Sequence, residues 1–415
     1  MVAFRPLLDR LPRLRPESDD FLHLDALRFL ASAGIVFFHM MGELRLPDLG
    51  EDVIKRSGPL NLLVDLFFVI SGMMIAHAYA GRLKSPGDYG RFMQKRIARL
   101  APLHWLTLLA FLPLMSWLMP GRFARIDVGC LAPTALFLHA IPNCGGLRFN
   151  FPSWSIGAEM MMYVALPAFL ILYRRAWTLF LAAAVVLAFL YGVGRAGPIN
   201  RPWWEWTFDW GVMRALPAFM IGLGLYAIRD KLRLLPAPKL LLASTTVAYL
   251  AGMYFRLPKS ILVLIVYSIA ASALAADLSG KVDGLTRKLA PLGQLTYSLY
   301  MWHAFALLFF VQQLPRRTGI GHDVWIALSV PILLVVSYVS LVAFERPMRS
   351  WIAGLPIFPR KRRDDGASSL VSAGDDLPSV HSANYAPGVT PPVEAARAPG
   401  SPITAPSAPR SGEAV

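Results

Sequence analysis

Apolar runs of 17 residues or more recur along this chain, separated by polar segments in which arginine and lysine are alternately dense and sparse. A run of that length crosses the hydrocarbon of a bilayer as a helix, which satisfies every backbone polar group within one segment. The pattern predicts an all-α, polytopic transmembrane bundle of about ten spans, at residues 22–41, 59–80, 100–119, 153–173, 177–194, 210–228, 240–255, 260–276, 293–312 and 323–344. The seventh and eighth runs are short, which leaves ten against eleven spans open. Residues 130–144 are apolar but too short to span, and read as an interfacial or re-entrant piece.

Charge orients the bundle. The N-terminal tail and the even-numbered loops hold 25 Lys and Arg residues against 12 in the odd-numbered loops. The positive-inside rule then expects both termini in the cytoplasm. The first apolar run is too long for a cleavable signal peptide, contains Arg28, and is followed by acidic sequence rather than a small-residue cleavage site, so it reads as a retained anchor. Three regions follow: a cytoplasmic basic tail (1–21), a membrane domain (22–358) and a cytoplasmic tail (359–415). That last tail is rich in Pro, Ala and Ser and too poor in large apolar side chains to fold. Its Arg360–Arg363 cluster suits anionic headgroups.

Two residues break the apolar pattern of the first span. Arg28 and His39 are eleven apart, about 20° apart around a helix and about 16 Å along it, so they share one face three turns apart. A cation inside hydrocarbon costs roughly 2.5 to 3.5 kcal/mol, so this face is expected to look into a bundle interior or a wet cavity. Arg28 is placed either to hold anionic oxygens or to pair with Asp25, three residues earlier.

Composition changes the picture little. The chain is 55% hydrophobic, with a formal net charge of +15 and mean hydropathy +0.49. In a membrane protein that surplus reports topology before it reports nucleic-acid binding. No zinc spacing, P-loop or dinucleotide glycine pattern occurs, so no metal is implied. Intramembrane Arg, Asp, Glu and His also suit a transporter or flippase, and that reading stays open, although no inverted repeat is evident.

Six blocks, in order, resemble the acyltransferase-3 family of bacterial integral-membrane O-acyltransferases. They are LDALRFLA with the Arg28-x10-His39 spacing, VDLFFVISGMMI (64–75), RFMQKRIARLAP (91–102), SWSIGAEMMMY (153–163), GQLTYSLYMWH (293–303) and FERP (344–347). The resemblance runs from Leu24 to about Trp351. It departs from the family at Met160, which follows Glu159 where many members carry a second carboxylate, and at His104, where an aromatic residue is usual.

The resemblance implies transfer of an acyl group, acetyl in the first instance, from cytoplasmic acyl-CoA to a hydroxyl of an envelope or exported carbohydrate or glycolipid, in the bacterial inner membrane. Succinyl or longer donors and a small-molecule acceptor are the alternatives within the same class. His39 is the candidate base, or the carrier of a transient acyl group, because its pKa lies near neutrality. Arg28 and Glu159 are the other candidate catalytic residues, Arg28 to anchor donor oxygens or stabilise developing negative charge, and Arg96 and Arg99 are implied as ligands of the coenzyme A phosphates. Glu159 has three readings: it orients His39, it binds an acceptor hydroxyl, or it pairs with Arg214. Asp65, Trp154, Ser155, Tyr163, Tyr300 and His303 are expected to line the site, in a polar cavity between helices one, two, four and nine; a hydrogen-bonded structural role is the alternative for His303. Glu345 and Arg346 read as structural. Cys130 and Cys144 share an odd-numbered loop and are expected to pair if that loop faces an oxidising compartment.

Overall fold

Helix is the only regular structure among the described residues of the computed structural model, which are 12–42, 50–118, 128–145, 149–196 and 201–358. The basic residues expected in the first eleven positions, the loop arginines 45, 122, 125 and 148, the Arg360–Arg363 cluster and the C-terminal tail lie outside them. All ten expected segments are helical: α1 (Leu22–Met41), α2 (Leu63–Tyr79), α3 (Pro86–Leu118), α4 (Trp154–Val164) with α5 (Leu166–Tyr173), α6 (Ala176–Ala196), α7 (Gly211–Ala227), α8 (Pro238–Tyr254), α9 (Lys259–Leu278), α10 (Thr296–Ala306), and α11 (His322–Val339) with α12 (Arg346–Gly354). Seven stretches among the described residues are long and apolar enough to cross a membrane, or eight if α4 and α5 count as one bent span. Helix α7, at 17 residues, is apolar but shorter. The protein is therefore an all-helical, multi-pass membrane protein.

The 59° bend between α4 and α5 has a local cause. Pro167 lacks an N–H, and its ring would clash with the Tyr163 carbonyl four residues back, so the helix breaks at Ala165. Beyond the bend, α5 keeps only Leu166 and Phe169 buried, against eight buried residues in α4.

Helices α2 and α7 cross at backbone contact. Gly72 lies against Gly222, and a Cβ on either would overlap the facing backbone. Small residues at such a crossing let dispersion act between backbones, which matters where lipid is as apolar as the side chains. The same two helices are tied by a buried ion pair. Arg214 Nη2 donates to Asp65 Oδ2 at 2.6 Å and to the Asn61 carbonyl at 3.0 Å, with Asp65 fully buried and Arg214 2% exposed.

A carboxylate from α9 caps α1. The backbone N–H groups of His23 and Leu24 donate to Asp277 at 2.8 and 3.1 Å, and His23 Nδ1 meets the same carboxylate at 2.7 Å. Asp277 thus supplies two of the acceptors that the first turn of any helix lacks. Near the other end of the chain, Glu345 accepts from Ser298 at 2.5 Å and from Ser340 at 2.9 Å, and Arg346 donates to Gln294 at 2.5 Å. These bonds lock α10 against α11 and α12, as the structural reading of both residues expects.

The loop 128–145 is a short helical turn followed by irregular chain, not a span. Cys130 and Cys144 form a disulfide across it, with Cα atoms 5.7 Å apart. His139 is buried in this loop, accepts or donates at 3.0 Å to the Ser153 hydroxyl, and stacks on His104 with ring centroids 5.5 Å apart. Burial first, and then the neighbouring His104, push the His139 pKa down to about 3, against a partial opposing effect of the Ser153 bond. An unfolded His139 takes up its proton near 6.5, so folding stability is complete above that pH and declines as pH falls from 6.5 towards 3. Thermal unfolding in detergent across this range should show a falling midpoint, and His139→Gln should flatten the slope.

Candidate active site

Helix α1 presents Arg28 and His39 along one face, and the structure places a different environment at each. Around Arg28 lies the basic mouth of a cavity of about 810 Å³, including its open end. Arg28 Nη1 donates to Glu17 Oε2 at 2.6 Å and reaches Asp25 Oδ1 at 3.4 Å. Arg99, from α3, donates to both oxygens of the same Glu17 carboxylate at 2.9 and 3.3 Å. Arg96 lies one turn before Arg99 on the same face of α3. Its Nη2 donates to Tyr79 Oη at 3.3 Å, its Cζ lies 5.4 Å from the Tyr79 ring centroid, and among the described residues its buried Nε has no hydrogen-bond partner. Burial alone would raise the Glu17 pKa, but Arg28 and Arg99 outweigh it and hold the carboxylate well below its usual range.

Deeper in the cavity, α4 meets α2. Glu159 and Tyr163 share a face at i, i+4, and the Tyr163 hydroxyl donates to Glu159 Oε1. Ser71 Oγ donates to the same oxygen at 2.6 Å and lies 3.0 Å from the Tyr163 hydroxyl. One turn towards the start of α4, Ser155 shares a hydrogen bond of 2.8 Å with the Tyr300 hydroxyl, which also donates to the Pro152 carbonyl at 3.1 Å. Both Ser155 and Tyr300 line the cavity.

One turn beyond Tyr300 on α10 is His303, 1% exposed. Its Nδ1 lies 2.6 Å from the Tyr300 carbonyl and so carries the proton, which leaves the buried Nε2 as a lone-pair acceptor with no partner among the described residues. The rings of His303 and His39 lie 5.2 Å apart, with Phe151 against both, 5.0 Å from His39 and 5.9 Å from His303. The order along the interior is therefore arginine mouth, Glu159–Ser71–Tyr163 cluster, Ser155–Tyr300 pair, then the two imidazoles.

The structure brings Arg28, Arg96, Arg99, Ser155, Glu159, Tyr163 and Tyr300 to one cavity, while His39 and His303 meet each other one helical turn beyond Tyr300 and do not line it. Besides His303, two expected site-lining residues lie outside the cavity lining. Asp65 is consumed by Arg214, and the Trp154 ring packs 5.3 Å beneath the same guanidinium and on Gly211, so both build the α2–α4–α7 interface rather than line the cavity. The pairing of Glu159 with Arg214 is likewise overturned, because Arg214 spends its donors on Asp65 and Asn61. Glu159 does not orient His39 either, since its bonds go to Ser71 and Tyr163, while the ring facing His39 belongs to His303. The cavity is also lined by α3, beyond the four helices expected.

Sequence reasoning missed Glu17 and Ser71. Glu17 lies in a polar tail eleven residues before Arg28, with no periodicity to connect them, and Ser71 is a small residue inside an apolar run. Among the described residues no group of three or more His, Cys, Asp or Glu side chains is placed to hold a metal ion.

A basic cavity, with two paired imidazoles one helical turn beyond its Tyr300 wall, lies inside the multi-pass bundle. A family profile for an acyltransferase domain matches residues 21–344. The chain belongs to the acyltransferase 3 family and is an O-acyltransferase. It is similar to a protein of Komagataeibacter xylinus described as membrane-bound transacylase BcsY, with 27% identity over 86% of this chain and 89% of the relative. It is also 31% identical to protein 2 in the picA locus of Rhizobium radiobacter, over 39% of this chain and 75% of the relative. A third relative, described as acetyltransferase ORF330 of Acidianus two-tailed virus, is 24% identical over 67% of this chain and 80% of its own length. No solved structure matches the chain.

Proposed function

We propose that this enzyme moves an acyl group, acetyl in the first instance, from cytoplasmic acyl-CoA to a hydroxyl of an envelope or exported carbohydrate or glycolipid. The bundle would sit in the bacterial inner membrane with about ten spans and both termini in the cytoplasm, an orientation drawn from the Lys and Arg asymmetry of the loops. The observation that carries the reading is the order of groups from the Arg28–Arg96–Arg99 mouth to His39 and His303. Guanidinium groups suit phosphate oxygens, and an orphan Arg96 Nε buried at the mouth is a donor awaiting an acceptor. A thioester arm entering from there would pass the Glu159–Ser71–Tyr163 hydrogen-bonding groups before reaching the imidazoles.

In the direct version, His39 takes the acceptor hydroxyl proton as its oxygen attacks the thioester carbonyl. The C–S bond then breaks and the departing thiolate recovers that proton, so charge and atoms balance. In the relay version a His39 nitrogen bonds the acyl carbon, the C–S bond breaks and the thiolate takes the proton the imidazole gives up; the acceptor oxygen then attacks the acyl-imidazole, the C–N bond breaks and the hydroxyl proton returns to the ring. The arrangement is compatible with both.

Membrane vesicles given radiolabelled acetyl-CoA test the reading. Wild-type vesicles should place label in lipid-linked or polysaccharide fractions. Arg99→Gln should raise the KM for the donor at least tenfold with a smaller change in kcat, because one charged hydrogen bond is worth about 1.5 to 3 kcal/mol. Accumulation of an unmodified solute across the membrane, with no acylated product, would favour the transporter reading instead.

A further inference from the structure

The arginine mouth is not empty of negative charge, because the chain's own Glu17 sits in it. Glu17 accepts from Arg28 at 2.6 Å and from Arg99 at 2.9 and 3.3 Å. Arg349, from α12, is close enough to act on the same carboxylate and is itself crowded by Arg99 and Arg96. Three guanidinium groups therefore act on one carboxylate that bonds two of them, and a fourth, Arg96, lies beside Arg349. Asp25 reaches Arg28 only at 3.4 Å, and Glu159 is engaged by Ser71 and Tyr163. The cluster holds more positive charge than Glu17 neutralises, and among the described residues Arg96 Nε has no partner.

The way Glu17 is delivered differs from the way the arginines are. Arg28, Arg96, Arg99 and Arg349 stand on helices, but residues 12–21 form no helix or strand. The segment is tied by the Tyr338 hydroxyl donating to the Pro12 carbonyl at 2.8 Å and by the Glu17 N–H donating to Asp25 Oδ2 at 2.8 Å. Withdrawing residues 12–20 breaks no helical ladder, whereas Phe21 is buried and its carbonyl accepts from the Asp25 N–H at 2.9 Å in the first turn of α1, so it stays in place. A carboxylate held by two guanidinium groups reproduces what a phosphate oxygen pair would receive there, with less charge and fewer acceptor atoms than a diphosphate offers.

We propose that Glu17 is a resident competitor for the donor's phosphates, and that a phosphorylated acyl donor binds by displacing its carboxylate from Arg28 and Arg99. The displaced segment 12–20 then leaves the mouth, and the arginines exchange a monoanion for a group of higher charge. This inference rests on the donor-site reading above. Its consequence is a sign opposite to that of an ordinary structural ion pair: removing the Glu17 charge tightens donor binding, whereas removing a structural partner from Arg28 and Arg99 would loosen or unfold the mouth.

The test is the binding of coenzyme A to the full-length protein in nanodiscs of zwitterionic lipid, comparing wild type, Glu17→Gln, Glu17→Asp and Arg99→Gln, with pantetheine as the ligand lacking phosphates. Glu17→Gln should lower the Kd for coenzyme A about tenfold and leave pantetheine unchanged, Glu17→Asp should stay near wild type because it keeps the charge, and Arg99→Gln should weaken coenzyme A. Equal or weaker coenzyme A binding by Glu17→Gln, with Arg99→Gln still weaker than wild type, overturns the competitor and leaves the donor site standing. Absence of coenzyme A binding in wild type and Glu17→Gln alike, with both proteins folded, overturns the donor reading and this inference with it. Repeating Glu17→Gln in discs containing anionic lipid separates the sources of phosphate: tight coenzyme A binding that persists supports the donor, and a gain abolished by anionic lipid assigns the seat to a headgroup and overturns the donor as its occupant.

Discussion

Replacing His39 by alanine should lower acyl transfer by 10²-fold to 10⁴-fold, the range over which a positioned acid–base group acts. The loss should fall on kcat, and coenzyme A affinity should stay within a few-fold of wild type. The reason is distance: Arg28 and His39 stand about 16 Å apart on the same helix, with the Ser155–Tyr300 pair between the arginine mouth and the imidazoles. The ring contacts of His39 in the described structure are with Phe38, Phe151 and His303, so alanine leaves a modest gap rather than a broken network. Vesicles with matched protein amounts, labelled acetyl-CoA and a separate coenzyme A binding measurement read both quantities. Loss of binding and of turnover together would assign His39 a structural role, and retention of turnover would remove it from the chemistry. His303→Gln should cost less, since glutamine can still present an acceptor near the His39 ring.

The second large effect concerns stability. Asp65→Ala should destabilise the fold by about 3 to 5 kcal/mol, because Arg214 would be left charged, 2% exposed and without its counter-ion. Asp65→Leu combined with Arg214→Met should recover much of that loss, as apolar replacements of buried pairs commonly do. Thermal or denaturant unfolding in detergent measures both. Turnover per folded molecule should change little in the double variant, because neither side chain lines the cavity. A double variant that folds like wild type but has lost activity would return Asp65 to the site.

These two residues show where reading the chain succeeds and where it stops. Arg28 and His39 could be related because both sit on one helix, where an eleven-residue spacing converts directly into an angle and a distance. Glu159 and Tyr163 at i, i+4, and Arg96 and Arg99 at i, i+3, were legible for the same reason. Asp65 and Glu159 were each a carboxylate inside an apolar run, and nothing along the chain distinguished them. Arg214, 149 residues from Asp65, chose between them only when α2 and α7 met at Gly72 and Gly222.

By itself, then, the sequence determined that the chain is helical, that it is built for a membrane, which segments form the helices, and which polar side chains share a face. All of these follow from local periodicity, run length and the impossibility of unpaired backbone groups in lipid. The tertiary structure alone decided which of those side chains meet. It set Asp65 on Arg214, Glu159 on Ser71, His303 rather than a carboxylate beside His39, and Glu17 from an irregular tail onto Arg28 and Arg99. Contacts of this kind join residues far apart in the chain, and they depend on how helices cross, which a one-dimensional pattern does not encode.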